Sequence, residues 1–463
     1  MTMAEDIFEV VKSFSPWIEG GPLPESVPFK RDVFGVVHSH LKANPKRKGL
    51  VILGPRQVGK STLLKQLVSA LGGDSSVLYV SMDHPRLRDV PMDIWVEPWL
   101  KLAGTKTERC TLLLDEAPFA KDWDTWMKYY LDHRKNVFIV ATGSSSTSLR
   151  KGTKESGVGR WDEIWMPQFL FEEVLRWRAG TASPTSPWVL IPSKQEKIEP
   201  AITATLEEYL QRGGFPIMWE TKDLQAGYEQ LRRDAIERAL FRDINLISPI
   251  RDVATLERVF YACAPETGRI ISIQKLSDDI RRSQSMVDNY LKLISDCGLL
   301  HVLNPYPGLS RRGLGGIPKI VLADPALYHA AVRPLSITAS PETEGQLLET
   351  IIAQHFATVA RTKGGVLSYW RRGKEEADFV FELGGEAIPI GITRSTRVGE
   401  EDVAPLDAFL GAFPKKASTG LFLYRGPEKD ITLKSGRGTV ACRNIANYLF
   451  HLSRAAVPRF PES

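Results

Sequence analysis

Gly54-Pro55-Arg56-Gln57-Val58-Gly59-Lys60-Ser61 matches the pattern G-x-x-x-x-G-K-[ST]. It follows the apolar run Leu50–Leu53 and precedes a stretch with apolar residues at helical spacing. A strand, a glycine turn and a helix in this order predict a phosphate-binding loop, because backbone N–H groups and the helix N-terminus attract phosphate oxygens. The predicted nucleotide-binding residues are Gly54, Pro55, Arg56, Gln57, Val58, Gly59, Lys60, Ser61 and Thr62.

Two acidic residues end an apolar run about fifty residues further on, at Thr111–Leu114 followed by Asp115 and Glu116. Such a strand end accompanies phosphate loops that use magnesium. We therefore expect ATP and Mg²⁺ as ligands, with the Ser61 hydroxyl and the Asp115 carboxylate on the metal. Lys60 would neutralise phosphate charge, and Glu116 would polarise the attacking water.

Two further segments carry candidate catalytic residues. The apolar run Val137–Thr142 leads into Gly143 and three serines, so Thr142 or Ser144 is predicted to sense the γ-phosphate. A plain Ser/Gly turn is the alternative. Arg160 is predicted to act on a phosphate as an arginine finger, in cis or from a neighbouring subunit, or else to be a surface or structural residue.

Short apolar runs alternate with helical patterns through the first ~175 residues, which predicts an α/β domain with a parallel sheet. The five candidate strands are Leu50–Leu53, Val77–Val80, Thr111–Leu114, Val137–Thr142 and Ile164–Met166. The full chain is predicted to comprise an N-terminal helical segment (1–30), a phosphate-loop core (31–180), a linker (181–200), a helical lid (201–251), a winged helix (252–335) and a third α/β module (336–463).

The composition is that of an ordinary soluble chain. Of 463 residues, 43% are hydrophobic and 25% are charged, which excludes wholesale disorder and fibrous architectures. No run approaches the ~18 apolar residues of a membrane span, and the first residues are acidic, so we expect a cytoplasmic protein without membrane contact. A net charge of +5 permits contact with nucleic acid but does not require it.

Seven motifs resemble those of prokaryotic AAA+-type ATPases that carry a C-terminal domain of unknown function 4143. They are GPRQVGKST (54–62), YVSMDHP (79–85), LLLDEAPFAKDW (112–123), ATGSSS (141–146), GRWDEIWMPQFLFEEVL (159–175), RGGFPIMW (212–219) and FRDI (241–244). The resemblance implies an AAA+-like P-loop NTPase sheet, followed by a helical lid, a winged helix and a restriction-endonuclease-like α/β module. It also implies that Asp83 and Arg160 belong to the nucleotide site.

The predicted winged helix contains a candidate recognition helix. Val287, Leu291 and Ile294 would face inward, and the outward face would carry Ser283, Gln284, Ser285, Asn289 and Lys292 after Arg281 and Arg282. Such a face could lie in a major groove of DNA. The alternative is a winged helix used for protein contact or domain packing.

The third module departs from the nuclease pattern that the resemblance implies. A nuclease of this fold needs a helix Glu, a strand Asp and a Glu-x-Lys on the next strand. Glu349 and Asp378 are available, but Gly391 and Thr393 stand at the last two positions, and strand alternation points Arg394 to the opposite face. We therefore predict an inactive module that serves binding or assembly.

The leading hypothesis is an ATP-hydrolysing switch, with a homo-oligomer as one option, that couples nucleotide state to the winged helix and the nuclease-like module. One alternative is an ATP-regulated DNA nuclease with an atypical site at Asp378. The other is an ATP-regulated DNA-binding protein in which turnover is incidental.

Overall fold

The computed structural model describes residues 2–25, 27–43, 49–104, 109–143, 159–179, 190–194, 199–244, 250, 252–306, 316–332, 340–433, 435–436 and 438–457. The chain divides into two compact units. The first comprises Met1–Met166, Phe241–Ile250 and Pro458–Ser463, and the second comprises Pro167–Leu240 and Arg251–Val457.

The first unit contains a five-stranded parallel sheet in the order β2-β3-β4-β1-β5. Its strands are β1 (Gly49–Leu53), β2 (Val77–Ser81), β3 (Cys110–Asp115), β4 (Val137–Gly143) and β5 (Trp161–Trp165). The first four are almost entirely buried, as expected of strands covered on both faces. The predicted parallel sheet is confirmed, although β5 begins three residues earlier than expected because Trp161 already pairs with Gly49.

Among the described residues of this unit, five α-helices accompany the sheet: α1 (Met3–Phe14), α2 (Asp32–Ala43), α3 (Lys60–Ala70), α4 (Asp93–Ala103) and α5 (Trp123–His133). The segment after α1 contacts the edge strand β2. Ser15 exchanges two hydrogen bonds with the backbone of Tyr79, and the Trp17 indole donates to the Val77 carbonyl. The N-terminal segment thus covers an edge that would otherwise expose unpaired backbone groups.

The strand order determines where a site can form. Strand β4 lies between β1 and β3, with Ile52 opposite Thr142 and Leu114 opposite Ala141. Because all five strands are parallel, their carboxyl ends share one edge of the sheet, where ligands of open α/β sheets bind. The phosphate loop after β1, the end of β4 and the acidic pair after β3 therefore lie along the same edge.

The second unit contains eleven α-helices within the described ranges. They are α6 (Phe171–Ala179), α7 (Pro200–Arg212), α8 (Pro216–Glu220), α9 (Leu224–Leu231), α10 (Val253–Cys263), α11 (Ile273–Ile280), α12 (Gln284–Asp296), α13 (Pro325–Val332), α14 (Pro341–Lys363), α15 (Glu400–Ala412) and α16 (Ile445–Ala455). After α9 the helix continues with π-helical turns at Arg232–Glu237 and Ala239–Asp243.

Two sheets complete the second unit. The smaller has the order β6-β8-β7 and consists of β6 (Arg269–Ile270), β7 (Leu300–Leu303) and β8 (Lys319–Leu322). The larger has the order β13-β14-β12-β11-β10-β9 and consists of β9 (Val366–Arg372), β10 (Glu375–Leu383), β11 (Glu386–Ile392), β12 (Thr419–Tyr424), β13 (Lys429–Thr432) and β14 (Thr439–Asn444). Helix α15 packs on this sheet through Val403, Leu406 and Phe409.

The motif RGGF (212–215) has a packing role in the second unit. The Gly214 N–H donates to the fully buried Asp324 carboxylate over 2.7 Å, and the Gln354 amide donates to the same oxygen. A Cβ on Gly213 would lie 1.8 Å from Asp324 Oδ1, and Gly213 has a left-handed φ of 59°. Gly213 is therefore needed for the close approach of the α7 end to Asp324, and Gly214 for its close approach to the Phe169 carbonyl oxygen, which a Cβ would meet at 2.3 Å.

No helix among the described residues is both long enough and apolar enough to cross a bilayer. The predicted domain boundaries remain predictions, and most of the predicted linker (181–200) lies outside the described residues.

The close approach of β1 and β5 generates a first prediction. A Cβ on Gly54 would lie 2.1 Å from the Met166 carbonyl oxygen, a clash with a backbone atom that no side-chain rotation relieves. We expect Gly54→Ala to destabilise the protein by about 1–3 kcal/mol in urea unfolding and to abolish nucleotide binding. The matched control is Gly35→Ala in α2, where a Cβ meets no atom within 4 Å. A Gly54→Ala protein as stable as the control would contradict this account.

Candidate nucleotide site

The phosphate loop is shaped by two residues with positive φ, Gln57 at 62° and Gly59 at 93°. Gly59 forms the N-terminal cap of α3, so the first N–H groups of that helix have no intrahelical acceptor. The Lys60 Nζ donates to the carbonyls of Gly54 at 2.9 Å and Pro55 at 2.7 Å. Two carbonyl groups of the loop thus accept hydrogen bonds from the Lys60 ammonium. The free N–H groups at the start of α3 can donate to an anion such as phosphate.

Lys60 is buried, and burial lowers the pKa of its ammonium below the ordinary value. The nearby carboxylates of Glu116 and Asp243 act in the opposite direction and favour the charged form. A cation held away from water interacts more strongly with a phosphate than an exposed one does. Lys60 therefore suits the neutralising role predicted for it.

Thr142 connects the two acidic residues at the end of β3. Its hydroxyl donates to Asp115 Oδ1 over 2.6 Å and accepts the N–H of Glu116 over 3.0 Å. The Tyr79 hydroxyl donates to the other Asp115 oxygen at 2.9 Å. Two hydroxyls from the flanking strands β4 and β2 therefore fix the Asp115 carboxylate, which keeps lone pairs for a further ligand.

Glu116 has the geometry of a residue held for a purpose other than stability. Its φ of 52° is left-handed, which is costly for a residue with a side chain. Its Oε2 atom is buried and has no hydrogen-bond partner among the described residues. Burial raises the pKa of Glu116 above its ordinary value, and Lys60 partly opposes this shift. A carboxylate of this kind can accept a proton from water.

The roles of the remaining predicted ligands, Ser61 and Thr62, and of the candidate sensor Ser144 stay predictions. Ser61 is the exposed second residue of α3, and Thr62 follows it. A hydroxyl and a carboxylate such as those of Ser61 and Asp115 are oxygen ligands of the kind that Mg²⁺ prefers. The candidate sensor Ser144 lies outside the described residues.

Arg160 is not brought to the phosphate loop of its own chain. Its carbonyl accepts the N–H of Gly49, and its guanidinium pairs with Asp132 at 2.9 Å. Gly49 begins β1, whereas the phosphate loop follows the last residue of that strand. The prediction of an arginine finger in cis is therefore wrong in this geometry, because Arg160 lies at the opposite edge of the sheet. A role in trans stays a prediction.

Asp83 is also displaced from the phosphate loop. It follows the edge strand β2, with β3 and β4 between that strand and β1, and it is exposed. Its carboxylate accepts the Ser81 hydroxyl at 2.8 Å. The role implied by the resemblance remains a prediction.

Sequence reasoning missed two residues of the site. Tyr79 is central in β2 and gave no signal apart from its place in the YVSMDHP motif. Asp243 pairs with Arg56 from 187 residues away, with Arg56 Nε donating to Oδ2 over 2.8 Å. The FRDI motif was the available signal for Asp243, but its partner was not predictable from spacing.

Consecutive parts of the chain match known protein families. The family described as AAA domain matches residues 46–175, which include the phosphate loop and the acidic pair. A domain of unknown function, DUF4143, matches residues 344–442. The chain contains an AAA domain and a DUF4143 domain. The predicted resemblance is thereby confirmed, and a second domain of unknown function, DUF8612, matches residues 203–339 between the two.

Comparisons of the whole chain add little to these assignments. The Aeropyrum pernix ORC1 protein in complex with DNA is 15% identical, with 68% of this chain and 96% of that chain covered and a TM-score of 0.30. The Thermotoga maritima RuvB Holliday junction branch migration motor is 13% identical, with 65% and 95% covered and a TM-score of 0.30. TM-scores this low do not establish shared geometry, and no curated protein matches the chain.

The DUF4143 domain contains the carboxylates predicted for a nuclease site, but a lysine lies among them. Lys319 Nζ, from β8, is 2.8 Å from Glu349 Oε2, 3.6 Å from Glu376 Oε1 and 3.9 Å from Asp378 Oδ1. Its side chain is only 1% exposed. Burial alone would lower the pKa of Lys319, but Glu349 and Asp378 outweigh it and hold the pKa above its ordinary value. An ammonium thus stands among carboxylates that a nuclease would use for metal ions.

The strand next to Asp378 carries a glycine where the nuclease pattern has an acid. A Cβ on Gly391 would lie 2.7 Å from the Phe422 ring and 3.8 Å from Leu406, so a side chain here would point into the core beneath α15. The following N–H, that of Ile392, donates to Asp378 Oδ2 over 2.7 Å. Asp378 is therefore tied to the backbone of β11 where the nuclease pattern would place another carboxylate.

Helix α12 turns the predicted face outward. Ser283, Gln284, Ser285, Asn289 and Lys292 are exposed, and Val287, Leu291 and Ile294 are buried. However, Lys292 pairs with Asp288 at 2.6 Å and Arg282 pairs with Asp252 at 2.9 Å. These pairs reduce the positive charge that this face would offer to phosphates.

Thr142 yields a second prediction. Thr142→Val keeps the shape of the side chain but leaves the Glu116 N–H and the Asp115 carboxylate without their shared hydroxyl. We expect about 1–3 kcal/mol lower stability in urea unfolding, the cost of an unsatisfied buried group, together with slower ATP hydrolysis. Thr142→Ser retains the hydroxyl and is the matched control. Equal stability and turnover in the valine and serine variants would refute the bridging role.

Proposed function

We propose that the AAA domain binds ATP with Mg²⁺, hydrolyses it, and couples nucleotide state to the second unit. The observation that carries this proposal is the Thr142 bridge, which holds Asp115 and Glu116 at the same sheet edge as Lys60 and the phosphate loop. A phosphate loop alone would suit binding without turnover. A buried carboxylate beside it supplies the missing base.

The chemistry follows from the positions of these groups. The Glu116 carboxylate takes a proton from a water molecule while the water oxygen attacks the γ-phosphorus. The bond between that phosphorus and the β–γ bridging oxygen breaks, and ADP leaves with the released negative charge, which Lys60 stabilises. Mg²⁺, held by Ser61 and Asp115, would neutralise charge on the phosphates.

In the DUF4143 domain the residues favour binding or assembly over DNA cleavage. The cation among Glu349, Glu376 and Asp378 is Lys319, and it is buried rather than open to a substrate. Gly391 supplies no acid, and a side chain at this position would meet Phe422 and Leu406 in the core beneath α15. An ATP-regulated nuclease is therefore the weaker alternative.

DNA binding through α12 is the second candidate function. Exposed Arg281 and Arg282 precede this helix and support phosphate contacts. The pairing of Arg282 and Lys292 with neighbouring acids argues against a strong interaction. In a homo-oligomer, Arg160 is partly exposed and would have to leave Asp132 to reach a neighbouring phosphate loop.

The base assignment leads to a third prediction. Glu116→Gln preserves the size of the side chain but cannot accept a proton, so we expect nucleotide binding to persist while hydrolysis falls by roughly 10²–10⁴-fold. Because the pKa of Glu116 is raised above its ordinary value of 4.5, the wild-type rate should increase with pH through a pKa above 4.5. The residual rate of the variant should lack that rise.

Lys60→Ala serves as the control for binding, since it removes the cation on which the phosphates depend. It should bind no fluorescent ATP analogue, whereas Glu116→Gln should bind one as the wild type does. Wild-type turnover in Glu116→Gln would show that another group activates the water.

The lysine of the second unit gives a fourth prediction. Lys319→Met leaves three carboxylates without their cation, so we expect about 3–5 kcal/mol lower stability at neutral pH. The deficit should shrink as pH falls, because protonation removes the repulsion, and burial already raises the pKa of Asp378 to about 7. Exposed Lys374→Met is the control.

Wild-type protein should show no Mg²⁺-dependent DNA cleavage. Cleavage lost in Asp378→Ala would overturn the assignment of an inactive domain.

A further inference from the structure

Arg56, within the phosphate loop, forms a two-pronged ion pair with a residue far away in the sequence. Its Nε is 2.8 Å from Asp243 Oδ2, and its Nη2 is 2.5 Å from Asp243 Oδ1. The side chains are 10% and 1% exposed, respectively. Both residues belong to the first unit, which the chain re-enters at Phe241. This pair is therefore a built feature of the loop rather than a surface contact.

Stability is a poor explanation for such a pair. Removing two charges from water costs about as much as their attraction returns, so buried ion pairs are weak stabilising elements. A guanidinium fork, however, binds carboxylate and phosphate oxygens with the same geometry. Arg56 lies in a loop predicted to surround phosphates, so Asp243 offers it the kind of partner that a nucleotide would also offer.

The segment that carries Asp243 is unusual in its backbone. Asp243 is the last residue of the second π-helical turn, Ala239–Asp243, and the first such turn is Arg232–Glu237. π-Helical turns are rare and occur frequently at functional sites. Each turn holds more residues than an α-turn, so reverting to α-helix would rotate and shift the residues that follow. A π-helical segment therefore has a nearby alternative conformation.

A neighbouring contact ties the same segment to the catalytic acid. The Arg242 guanidinium lies 4.2 Å from the centre of the Phe119 ring, three residues after Glu116. The charges of Arg56 and Asp243 also act on both Lys60 and Glu116. Consecutive residues thus contact the phosphate loop on one side and the turn after Glu116 on the other.

We propose that Asp243 is a positioning residue that competes with nucleotide phosphates for Arg56. When a phosphate takes the guanidinium, Asp243 loses its partner and the π-helical segment is released. Since Leu240 and Arg251 on either side belong to the second unit, the change passes to that unit along the covalent chain. This inference rests on the proposed ATP binding by the AAA domain and specifies how binding is coupled.

Competition predicts the direction of a substitution effect. Asp243→Asn weakens the hold on Arg56, so affinity for a non-hydrolysable ATP analogue should rise, by roughly tenfold, because the binding-competent fraction increases. In an Arg56→Gln background the same substitution should have no effect on affinity. A purely structural role would lower affinity in both backgrounds. The matched control is Asp234→Asn, an aspartate of the first π-helical turn that pairs with Arg238 and should leave affinity unchanged.

The deciding part of a second measurement uses wild-type protein, with Arg56→Gln as a comparison. In wild-type protein, the ATP analogue should increase amide hydrogen exchange at residues 239–244, and Arg56→Gln should show the faster exchange without nucleotide. Linkage requires this reciprocity if phosphate and Asp243 compete. Unchanged or slower exchange at 239–244 in nucleotide-saturated wild type would overturn the proposal, as would unchanged or weaker affinity in Asp243→Asn. Absence of nucleotide binding in wild type would instead overturn the proposed function itself.

Discussion

Parallel pairing of β1 with β4 and of β4 with β3 is the constraint on which the nucleotide site depends. Because the strands run in one direction, their carboxyl ends meet at one edge, and the order of the strands sets which residues become neighbours there. Placing β4 in the middle puts Thr142 between the phosphate loop and the acidic pair. A single hydroxyl can then hold Asp115 and the Glu116 backbone at once. A different strand order would separate these groups by the width of a strand or more.

The same edge shows how burial and charge are balanced against each other. Lys60 and Glu116 are both away from water, which disfavours the charged form of each, and each favours the charge of the other. The balance leaves a cation for phosphate and a carboxylate with raised proton affinity within one site. Asp243 and Arg56 add a further pair of opposite charges. In the proposed coupling, a phosphate and Asp243 compete for Arg56, so phosphate binding changes the position of the 239–244 segment.

The second unit also contains a cluster of buried acidic and basic side chains, but there a lysine of the chain pairs with the acids. Glu349, Glu376 and Asp378 share the Lys319 ammonium, a cation that the chain itself provides. The lysine comes from β8, in a different sheet from Asp378, so the cluster joins the small sheet to the large one. The chain's own cation thus occupies these three acids, whereas in the first unit a buried Glu116 oxygen has no hydrogen-bond partner among the described residues.

The sequence by itself determined the local features. Glycine spacing, the apolar runs and the acidic strand end were sufficient for the phosphate loop, the parallel sheet and the Asp115–Glu116 pair, because each depends on residues close together in the chain. The sequence also predicted a third α/β module, and the structure shows there the helix Pro341–Lys363 followed by the strands Val366–Arg372, Glu375–Leu383 and Glu386–Ile392. The tertiary structure decided what depends on partners remote in sequence. Only the tertiary structure shows that Arg160 lies at the far edge of the sheet and that Asp243 pairs with Arg56. It also shows that Lys319 lies among three carboxylates. Residue type and spacing indicate what a side chain can bind, but long-range packing decides which partner it contacts.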